Sequence, residues 1–311
     1  MQNPEISIVI PVYNSSGILS ELNRRINNAL VGFDFQVIYV NDCSEDTSWD
    51  FIEKFAKESN HTVAIDLVKN SGQDNSILAG LRMVKGNYVV IMDDDLQHAP
   101  ENIIDLYNKC KEGYDVCFAS FNIKKQTFIK KTGSRINGKI ADWLLKKPKG
   151  IYLSPFKIMR AEIAHEIARF TAPFPYIDGI LLNITHNLCE IEVLHFSRFA
   201  GKSNYTIHKS ASVMFKLFSG FSTAPLRIAT IFGLFVAMTG FSLILFYLYE
   251  YFIAKNYIEG WTTIVILILF FGGLILMVLG IVGEYISRIY LTLNSAPQYL
   301  IRKIIKSEHD I

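Results

Sequence analysis

Three adjacent aspartates, Asp93, Asp94 and Asp95, are the clearest chemical signal in the sequence. Adjacent carboxylates repel one another by about 1 kcal/mol per pair in water, so a bound cation would stabilise them. Carboxylate oxygens suit Mg²⁺ or Mn²⁺, which proteins commonly bind through one or two carboxylates together with substrate phosphates. We predict a metal site formed by Asp93, Asp95 and the amide oxygen of Gln97, with Asp94 on the opposite side of the extended chain. The alternative is a solvated acidic turn that precedes a helix.

The segments around these aspartates alternate between short apolar runs and amphipathic stretches. The predicted strands are Ile6–Val12, Gln36–Val40, Val63–Val68, Tyr88–Met92 and Tyr114–Ala119, and the predicted helices are Ile18–Val31, Asp46–Lys57, Asn75–Val84 and Glu101–Lys111. This alternation predicts an α/β fold with a parallel sheet that carries helices on both faces. Ligands of such sheets bind beyond the carboxyl ends of the strands, and the three aspartates directly follow the fourth predicted strand.

Polar residues follow the other predicted strands as well. Tyr13 and Asn14 follow the first strand, Asp42 comes shortly after the second, and Asn70 comes shortly after the third. Because the carboxyl ends of parallel strands meet at one edge of a sheet, we expect these side chains near the acidic triplet. No glycine-rich phosphate-binding loop occurs among them. The sequence therefore predicts a polar, largely acidic ligand site at this edge.

Two uncharged runs towards the C-terminus predict membrane spans. Residues 228–249 and 260–283 carry no charged side chain, which makes runs of 22 and 24 residues. As helices, these runs would extend about 33 Å or more, enough for a hydrocarbon core of about 30 Å. We predict transmembrane helices over 228–253 and 260–287. The alternative is a pair of helices buried in a large soluble core.

The charges beside these runs predict their orientation. The segment between them has one cation, Lys255, whereas the end of the chain has four: Arg288, Arg302, Lys303 and Lys306. The positive-inside rule places both termini in the cytoplasm, and the N-terminus has no signal-peptide pattern. The predicted organisation is a cytosolic domain over 1–205, an amphipathic juxtamembrane segment over 206–227, the two spans, and a basic cytosolic tail over 288–311.

Composition narrows the class of protein. With 50% hydrophobic and 19% charged residues, the chain is neither disordered nor a purely polytopic membrane protein. The net charge of +2 does not favour nucleic acid as a partner. One strongly basic run, 124–149, could face lipid headgroups, a phosphate-bearing substrate or solvent. The four cysteines lack CxxC spacing and are expected to be thiols in a reducing cytosol.

Several motifs taken together carry a family resemblance. They are Asn41-Asp42-x-Ser44, Asn70-x-Gly72, Asp93-Asp94-Asp95-Leu96-Gln97, Arg198-x-x-Gly201-Lys202-Ser203 and Gly283-Glu284-Tyr285-x-x-Arg288. Their order and spacing resemble the inverting family 2 glycosyltransferases of the GT-A fold. The resemblance is to the polyprenyl-phosphate branch, which includes dolichol-phosphate mannose synthase and the two-span bacterial undecaprenyl-phosphate glucosyl- and aminoarabinosyltransferases.

The resemblance implies roles for individual residues. The nucleotide would be held by Pro11, Tyr13, Asp42, Asn70 and Asp94, and the metal with its diphosphate by Asp93, Asp95 and Gln97. The acceptor phosphate would be bound by Arg135, Lys124, Lys125, Lys139 and Arg198. Asp178 is either a catalytic residue, as a base or acceptor-orienting group, or the N-cap of a helix.

The sequence departs from the family pattern at four positions. Ser15 stands where the family usually has Glu, Asn41 where it has a second Asp, and Cys43 where it has Gly. Near Phe121 the family usually has an Arg, whose place Lys124 or Lys125 could take as a point charge.

The activity implied by the resemblance is transfer of a sugar from a nucleoside diphosphate sugar, with UDP favoured, to undecaprenyl phosphate. The reaction would use Mg²⁺ or Mn²⁺ and invert the anomeric carbon, at the cytoplasmic face of the bacterial inner membrane, in a homo-oligomer such as a tetramer. Two alternatives are a processive polysaccharide synthase and an inactive, membrane-anchored nucleotide-binding protein. The first is disfavoured because Trp49, Trp143 and Trp261 do not follow an arginine, as that class requires.

Overall fold

The computed structural model describes residues 4–121, 151–172, 174–193, 224–249, 260–294 and 297–306. The chain divides into two compact units. The first comprises Met1–Thr206 together with Ser295–Ile311, and the second comprises Ile207–Asn294. The first unit is therefore built from both ends of the chain.

An eight-stranded sheet forms the centre of the first unit, in the order β7-β5-β6-β4-β1-β2-β3-β8. Its strands are β1 Ile6–Val12, β2 Phe35–Asn41, β3 Thr62–Leu67, β4 Tyr88–Ile91, β5 Val116–Phe121, β6 Lys157–Arg160, β7 Leu188–Val193 and β8 Ile301–Ile305. Strands β1 to β4 pair in parallel, as does β5 with β7. Strand β6 runs antiparallel to β4 and β5, and β8 runs antiparallel to β3.

Helices connect these strands. They are α1 Ser16–Ala29, α2 Ser48–Glu58, α3 Gln73–Leu81, α4 Ile103–Lys111 after a 3₁₀ turn at Pro100–Asn102, α5 Ala161–Ala168 and α6 Ile177–Ile184. The structure confirms the predicted α/β fold, and every strand and helix predicted in the first 120 residues is present within three residues at each end. The antiparallel strands β6 and β8 were not predicted, so the sheet is mixed rather than wholly parallel.

Strand β1 shows why this sequence occupies the centre of the sheet. All seven of its residues are buried, as expected of a strand with neighbours on both sides and helices on both faces. Proline is tolerated at position 11 because β4 pairs only with Ile6 to Val9. Residues 9 and 11 face the same neighbour, so the missing N–H of Pro11 points beyond the end of β4 and no ladder bond is lost.

The second unit contains α7 Ala224–Tyr249 and α8 Trp261–Leu293. Within the described residues, one helical stretch, Phe270–Leu293, is long and apolar enough to cross a membrane by length and composition. The apolar stretch Ala229–Ser242 of α7 is shorter. Residues 301–305, in the segment predicted as a tail, form β8 instead. The predicted juxtamembrane segment 206–227 lies outside the described residues except for its last four.

Gly86 is required by close backbone packing, and its replacement tests the core of the first unit. A Cβ at this position would lie 2.6 Å from the Ser7 nitrogen and 2.8 Å from the Ile6 carbonyl carbon. Because backbone cannot move aside cheaply, Gly86→Ala should lower the free energy of unfolding by about 2–3 kcal/mol. Gly17→Ala is the control, since a Cβ there meets no heavy atom within 4 Å, and it should raise stability by about 0.5 kcal/mol. Chemical denaturation of both full-length variants in detergent measures the difference, and equal stability would contradict this packing.

Candidate active site

The predicted polar residues meet in one cleft at the carboxyl ends of β1 to β4. The cleft has a volume of about 340 Å³. Its lining includes all five residues predicted to bind a nucleotide, namely Pro11, Tyr13, Asp42, Asn70 and Asp94, as well as Asp93 and Asp95. It also includes four residues to which no role was assigned: Val12, Gly72, Gln73 and Ser76. The parallel sheet thus brings together residues up to about eighty positions apart in the sequence.

Asp42 connects the end of β1 to the loop after β3. Its backbone N–H donates to the carbonyl of Val12, and its side chain is buried. The Oδ1 atom accepts the N–H of Ser71 at 2.7 Å, and Oδ2 accepts the N–H of Gly72 at 2.9 Å. Gly72 has φ of +88°, a conformation that glycine adopts without steric cost. Asp42 therefore orders the loop after β3 by two charge-assisted hydrogen bonds.

The three aspartates make different contacts. Asp94 Oδ2 accepts the Ser15 hydroxyl at 2.5 Å and the Tyr13 N–H at 3.3 Å. Asp93 Oδ1 accepts the Gln73 amide at 2.6 Å. Burial raises the pKa of Asp94 to about 6, although the hydrogen bond from Ser15 acts in the opposite direction. All three line the cleft, contrary to the predicted alternation of sides, because β4 ends at Ile91 and the aspartates lie in a turn.

The cleft is acidic, and its carboxylates can be compared with the ligands that the predicted divalent metal requires. Four aspartates line it, and no Lys, Arg or His is among its described lining residues. Within the part of the chain that the structure describes, no three His, Cys, Asp or Glu side chains form a ready-made metal cage. A cation that binds through one or two carboxylates and completes its shell with phosphate oxygens needs no such cage. The donor set fits Mg²⁺ or Mn²⁺ bound in this way.

Gln97, the third predicted metal ligand, is not among the residues that line the cleft. Its backbone N–H donates to Asp95 Oδ1 at 3.1 Å, which closes the turn after the aspartates. His98 is buried and stacks on Phe156 at a centroid distance of 5.4 Å. The chain returns to the core after Asp95, and this change of direction could not be predicted from the sequence.

Asp178 lies in the first turn of α6 and is not an N-cap. The N-cap position is Tyr176, and no side-chain cap bond is formed there. The Asp178 carboxylate instead accepts a hydrogen bond from Nζ of Lys157, a buried residue of β6. Lys157 stands in register with Ile91, the last residue of β4. This ion pair therefore lies next to the turn that carries Asp93, Asp94 and Asp95, which we call the acidic turn. The N-cap alternative was therefore wrong, and the sequence did not identify Lys157.

Removal of the Asp178 carboxylate should destabilise the first unit. Asp178→Ala leaves the ammonium of Lys157, whose side chain is 4% exposed, without its partner, and we expect a loss of about 3 kcal/mol in the free energy of unfolding. The double variant Lys157→Met/Asp178→Leu removes both charges and should recover most of that loss. Denaturation of the two variants measures this difference. A double variant no more stable than Asp178→Ala would contradict the assigned pairing.

Two departures from the family pattern have structural consequences. Ser15, in place of Glu, donates to Asp94 rather than adding a further carboxylate to the cleft. Cys43, in place of Gly, has φ of +57°, the left-handed region that favours glycine. The predicted acceptor-phosphate residues Arg135, Lys124, Lys125, Lys139 and Arg198 lie outside the described residues. Gln73 was missed, and its position directly after Gly72, in the polar segment that follows β3, is the signal that could have identified it.

Comparison with known proteins identifies the family. The model described as Glycosyl transferase family 2 matches residues 7–168, which include β1 except for its first residue, β2 to β6 and the whole acidic cleft. The chain belongs to glycosyl transferase family 2. The cleft at the carboxyl ends of β1 to β4 is therefore the candidate active site of a glycosyltransferase.

Relatives of this glycosyltransferase match along nearly its whole length. An undecaprenyl-phosphate 4-deoxy-4-formamido-L-arabinose transferase of Enterobacter sp. (strain 638) is 32% identical over 306 residues, which cover 97% of this chain and 94% of the relative. The uncharacterized glycosyltransferase YkcC of Bacillus subtilis (strain 168) is 29% identical over 302 residues, which cover 96% and 94%. The similarity extends beyond the family domain into α7 and α8.

A solved structure supports the fold independently. The crystal structure of a mycobacterial protein superposes with a TM-score of 0.51 at 15% sequence identity, and the match covers 70% of this chain and 73% of the other. At this identity the likeness concerns the fold alone. The architecture is the α/β GT-A fold with a mixed, mostly parallel sheet.

Proposed function

We propose that this glycosyltransferase transfers a sugar from a nucleoside diphosphate sugar to a polyprenyl phosphate, with inversion at the anomeric carbon. The observation that carries the proposal is near-full-length similarity to relatives named undecaprenyl-phosphate 4-deoxy-4-formamido-L-arabinose transferase, at 31–32% identity in Enterobacter and Proteus mirabilis. The acidic cleft, which is suited to a metal-bound diphosphate, supports the same class of reaction. The product would be a polyprenyl-monophosphoryl sugar used in envelope modification.

The nucleoside is proposed to bind between the ends of β1 and β2. The Tyr13 side chain is 46% exposed at the cleft and offers a face on which a base can stack. Asp42 and Asn70 line the same cleft, and Asp42 also orders the loop that carries Asn70. UDP is the favoured nucleotide, on the family resemblance.

The diphosphate is proposed to lie against the acidic turn with Mg²⁺ or Mn²⁺. Asp93 and Asp95 would hold the metal, with Gln97 as a further predicted ligand. The cation would neutralise the charge that develops on the departing diphosphate. Asp94 accepts hydrogen bonds from Ser15 and Tyr13 and so fixes the turn that presents its neighbours. The four cleft aspartates provide the negative charge that makes a cation necessary before a diphosphate can bind.

The acceptor supplies its own nucleophile. A phosphate oxygen of the lipid is already anionic at neutral pH, so it can attack the anomeric carbon as the bond from that carbon to the diphosphate oxygen breaks. Catalysis then rests on alignment and charge neutralisation rather than on a strong base. Arg135, Lys124, Lys125, Lys139 and Arg198 are proposed to bind the acceptor phosphate. Asp178 is proposed to orient the acceptor side of the site through its ion pair with Lys157.

The sheet constrains the membrane topology that we propose. Strand β8 follows α8 in the chain but pairs with β3 of the same sheet. Since one sheet lies on one side of a membrane, the chain must cross the membrane an even number of times before it reaches β8. The stretch Phe270–Leu293 can supply one crossing, so a second is needed, and α7 has 26 residues, or about 39 Å of helix. We therefore propose two spans with both termini in the cytoplasm of the bacterial inner membrane.

Reporter fusions test this topology. Green fluorescent protein attached after Lys306 should fluoresce, and alkaline phosphatase attached after Lys255 should be active, because only the latter site is proposed to be outside the cytoplasm. The reverse fusions are the controls and should be inactive. Phosphatase activity after Lys306 would place β8 outside and contradict the two-span arrangement.

A direct assay tests the activity. The purified full-length protein in detergent is mixed with undecaprenyl phosphate, Mn²⁺ or Mg²⁺ and a panel of UDP-, GDP- and dTDP-sugars, and glycosylated lipid is sought by mass spectrometry. We expect a polyprenyl-monophosphoryl sugar from one donor class and none after chelation of the metal. If no donor yields product, the proposed function fails. The same preparation, sized by light scattering, tests the predicted homo-oligomer.

A further inference from the structure

We propose that Arg302, on the C-terminal strand β8, is a positioning residue for the nucleotide site and acts through Asp66 and Asn41. The inference rests on the proposed function, since it assumes that the turn after β2 and the loop after β3 bind the donor nucleotide. Arg302 does not line the cleft, so no direct contact with the nucleotide is invoked.

The first link runs across three neighbouring strands. Asp66 of β3 stands in register with Asn41 of β2 on one side and with Lys303 of β8 on the other. The Asn41 Nδ2 group donates to Asp66 Oδ1 at 2.7 Å, and Arg302 Nη1 donates to Asp66 Oδ2 at 3.0 Å. One carboxylate therefore bridges the last strand of the sheet to the end of β2.

The second link runs from Asn41 into the nucleotide-binding turn. Because its amide nitrogen donates to Asp66, the Asn41 oxygen points the other way and accepts the N–H of Ser44 at 3.2 Å. Asp42 lies between these two residues, so the orientation of the Asn41 amide sets the turn that presents Asp42 to the cleft. Asn41 is buried, which leaves its amide few other partners.

The third link runs from Arg302 to the loop after β3. Arg302 Nη2 donates to the carbonyl of Val68 at 3.0 Å, and the Val68 N–H donates to the carbonyl of Leu300 at 2.8 Å. Val68 begins the loop whose Ser71 and Gly72 N–H groups bind the Asp42 carboxylate. The Arg302 guanidinium thus contacts both the Asp66 carboxylate, which orients the Asn41 amide, and the carbonyl of Val68, where the loop after β3 begins.

Charge and burial favour this arrangement over a chance surface contact. The Asp66 side chain is 5% exposed, and a carboxylate so deeply buried needs charged or hydrogen-bonding partners on both oxygens. Arginine suits the position because two separate nitrogens of its planar fork donate to Asp66 and Val68, whereas a lysine would offer a single nitrogen for both acceptors. Nucleotide affinity would in this way depend on a strand that the chain reaches only after α7 and α8.

Nucleotide binding to the full-length protein tests the proposal. We would measure the affinity of UDP, GDP and dTDP, each with Mn²⁺, by calorimetry in detergent, and would follow the nucleotide that binds the wild type. Arg302→Ala should weaken it about tenfold, the effect expected when hydrogen bonds to a charged group are lost, and Arg302→Lys about threefold. Lys303→Ala is the matched control on the same strand, because Lys303 pairs with Glu53 at the surface, and it should change the affinity less than twofold.

Steady-state kinetics distinguish positioning from a general loss of structure. Arg302→Ala should raise KM for the sugar donor about tenfold and leave kcat and KM for the lipid acceptor near the wild-type values, and the melting temperature should fall because the buried Asp66 carboxylate loses one partner. In an Asn41→Ala background, Arg302→Ala should have little further effect on donor KM, because the two residues act through one network. A fall in melting temperature with both KM values raised would show a merely structural role and overturn the proposal.

The outcomes separate this inference from the proposed function. If the wild type binds no nucleotide of the panel, the proposed function fails. If the wild type binds one nucleotide and Arg302→Ala binds it equally well, the function stands and the inference is overturned. If Arg302→Ala does not fold, Arg302→Lys decides the question, and wild-type affinity in that variant overturns the inference.

Discussion

Asp95→Ala is expected to lower kcat by about 10³-fold, the scale of loss when charge stabilisation of a leaving group is removed. Asp95 lines the cleft directly after the two aspartates that bond to Gln73 and Ser15. The cleft lining, as described, contains no cationic side chain that could replace a metal beside the diphosphate. Loss of this carboxylate should therefore affect the step in which the diphosphate departs more than the binding of the nucleoside.

Two further variants make this experiment specific. Asp95→Asn keeps an oxygen that can accept the Gln97 N–H, so it preserves the turn but removes the charge, and it should lose nearly as much activity as Asp95→Ala. Asp105→Ala, at an exposed position on α4, should behave as the wild type. Rates are measured as labelled sugar incorporated into lipid, and Mn²⁺ should strengthen nucleotide binding in the wild type but not in the Asp95 variants. A kcat within tenfold of wild type in Asp95→Asn would contradict a metal-binding role.

Asp42→Ala is expected to raise the KM for the sugar donor about 100-fold. The variant loses hydrogen bonds from the Ser71 and Gly72 N–H groups, and charge-assisted bonds of this kind contribute about 1.5–3 kcal/mol each. The loop after β3 would lose its connection to β2, and the cleft would lose a polar group at its nucleoside end. Because the hydrogen bonds of the Asp42 carboxylate go to the loop after β3 and not to Asp93, Asp94 or Asp95, kcat should fall much less than donor affinity.

A pair of aspartates at opposite ends of β2 provides the comparison for this variant. Asp34 precedes the strand and is exposed, so Asp34→Ala should leave donor KM unchanged. Asp42→Asn can accept only one of the two N–H groups and should raise donor KM about tenfold. Initial rates over a range of donor concentrations, with saturating lipid, measure the effect. A donor KM within threefold of wild type in Asp42→Ala would show that this carboxylate is not needed for donor binding.

Local sequence pattern was sufficient for the first 120 residues. Buried strands such as β1 and amphipathic helices such as α1 are specified by the spacing of apolar residues within each segment, so their bounds could be predicted to within three residues. Strand β8 could not be predicted in this way. Its sequence, Ile-Arg-Lys-Ile-Ile, looks like a basic tail, and its partner β3 lies more than 230 positions earlier in the chain.

In the candidate site, too, local sequence pattern predicted some features, and others depend on residues that are distant in the chain. Asp42 and the acidic triplet could be found because each follows a predicted strand, and parallel strands end at one edge of the sheet. Their partners could not be found, because the bond from Ser15 to Asp94 and the bonds from Ser71 and Gly72 to Asp42 depend on turns with unusual backbone angles. The pairing of Lys157 with Asp178 likewise depends on the antiparallel strand β6.

By itself the sequence determined which chemical groups are available and in what order they follow the strands, since residue type and apolar period are local properties. It indicated the family and the acidic character of the site for the same reason. Only the tertiary structure decided which of these groups bond to one another. It placed Gln97 outside the cleft lining and attached the end of the chain, through Arg302, to the strand beside the nucleotide site. Hydrogen bonds and ion pairs form between atoms about 3 Å apart, and a folded sheet sets those distances between residues that are far apart in the chain.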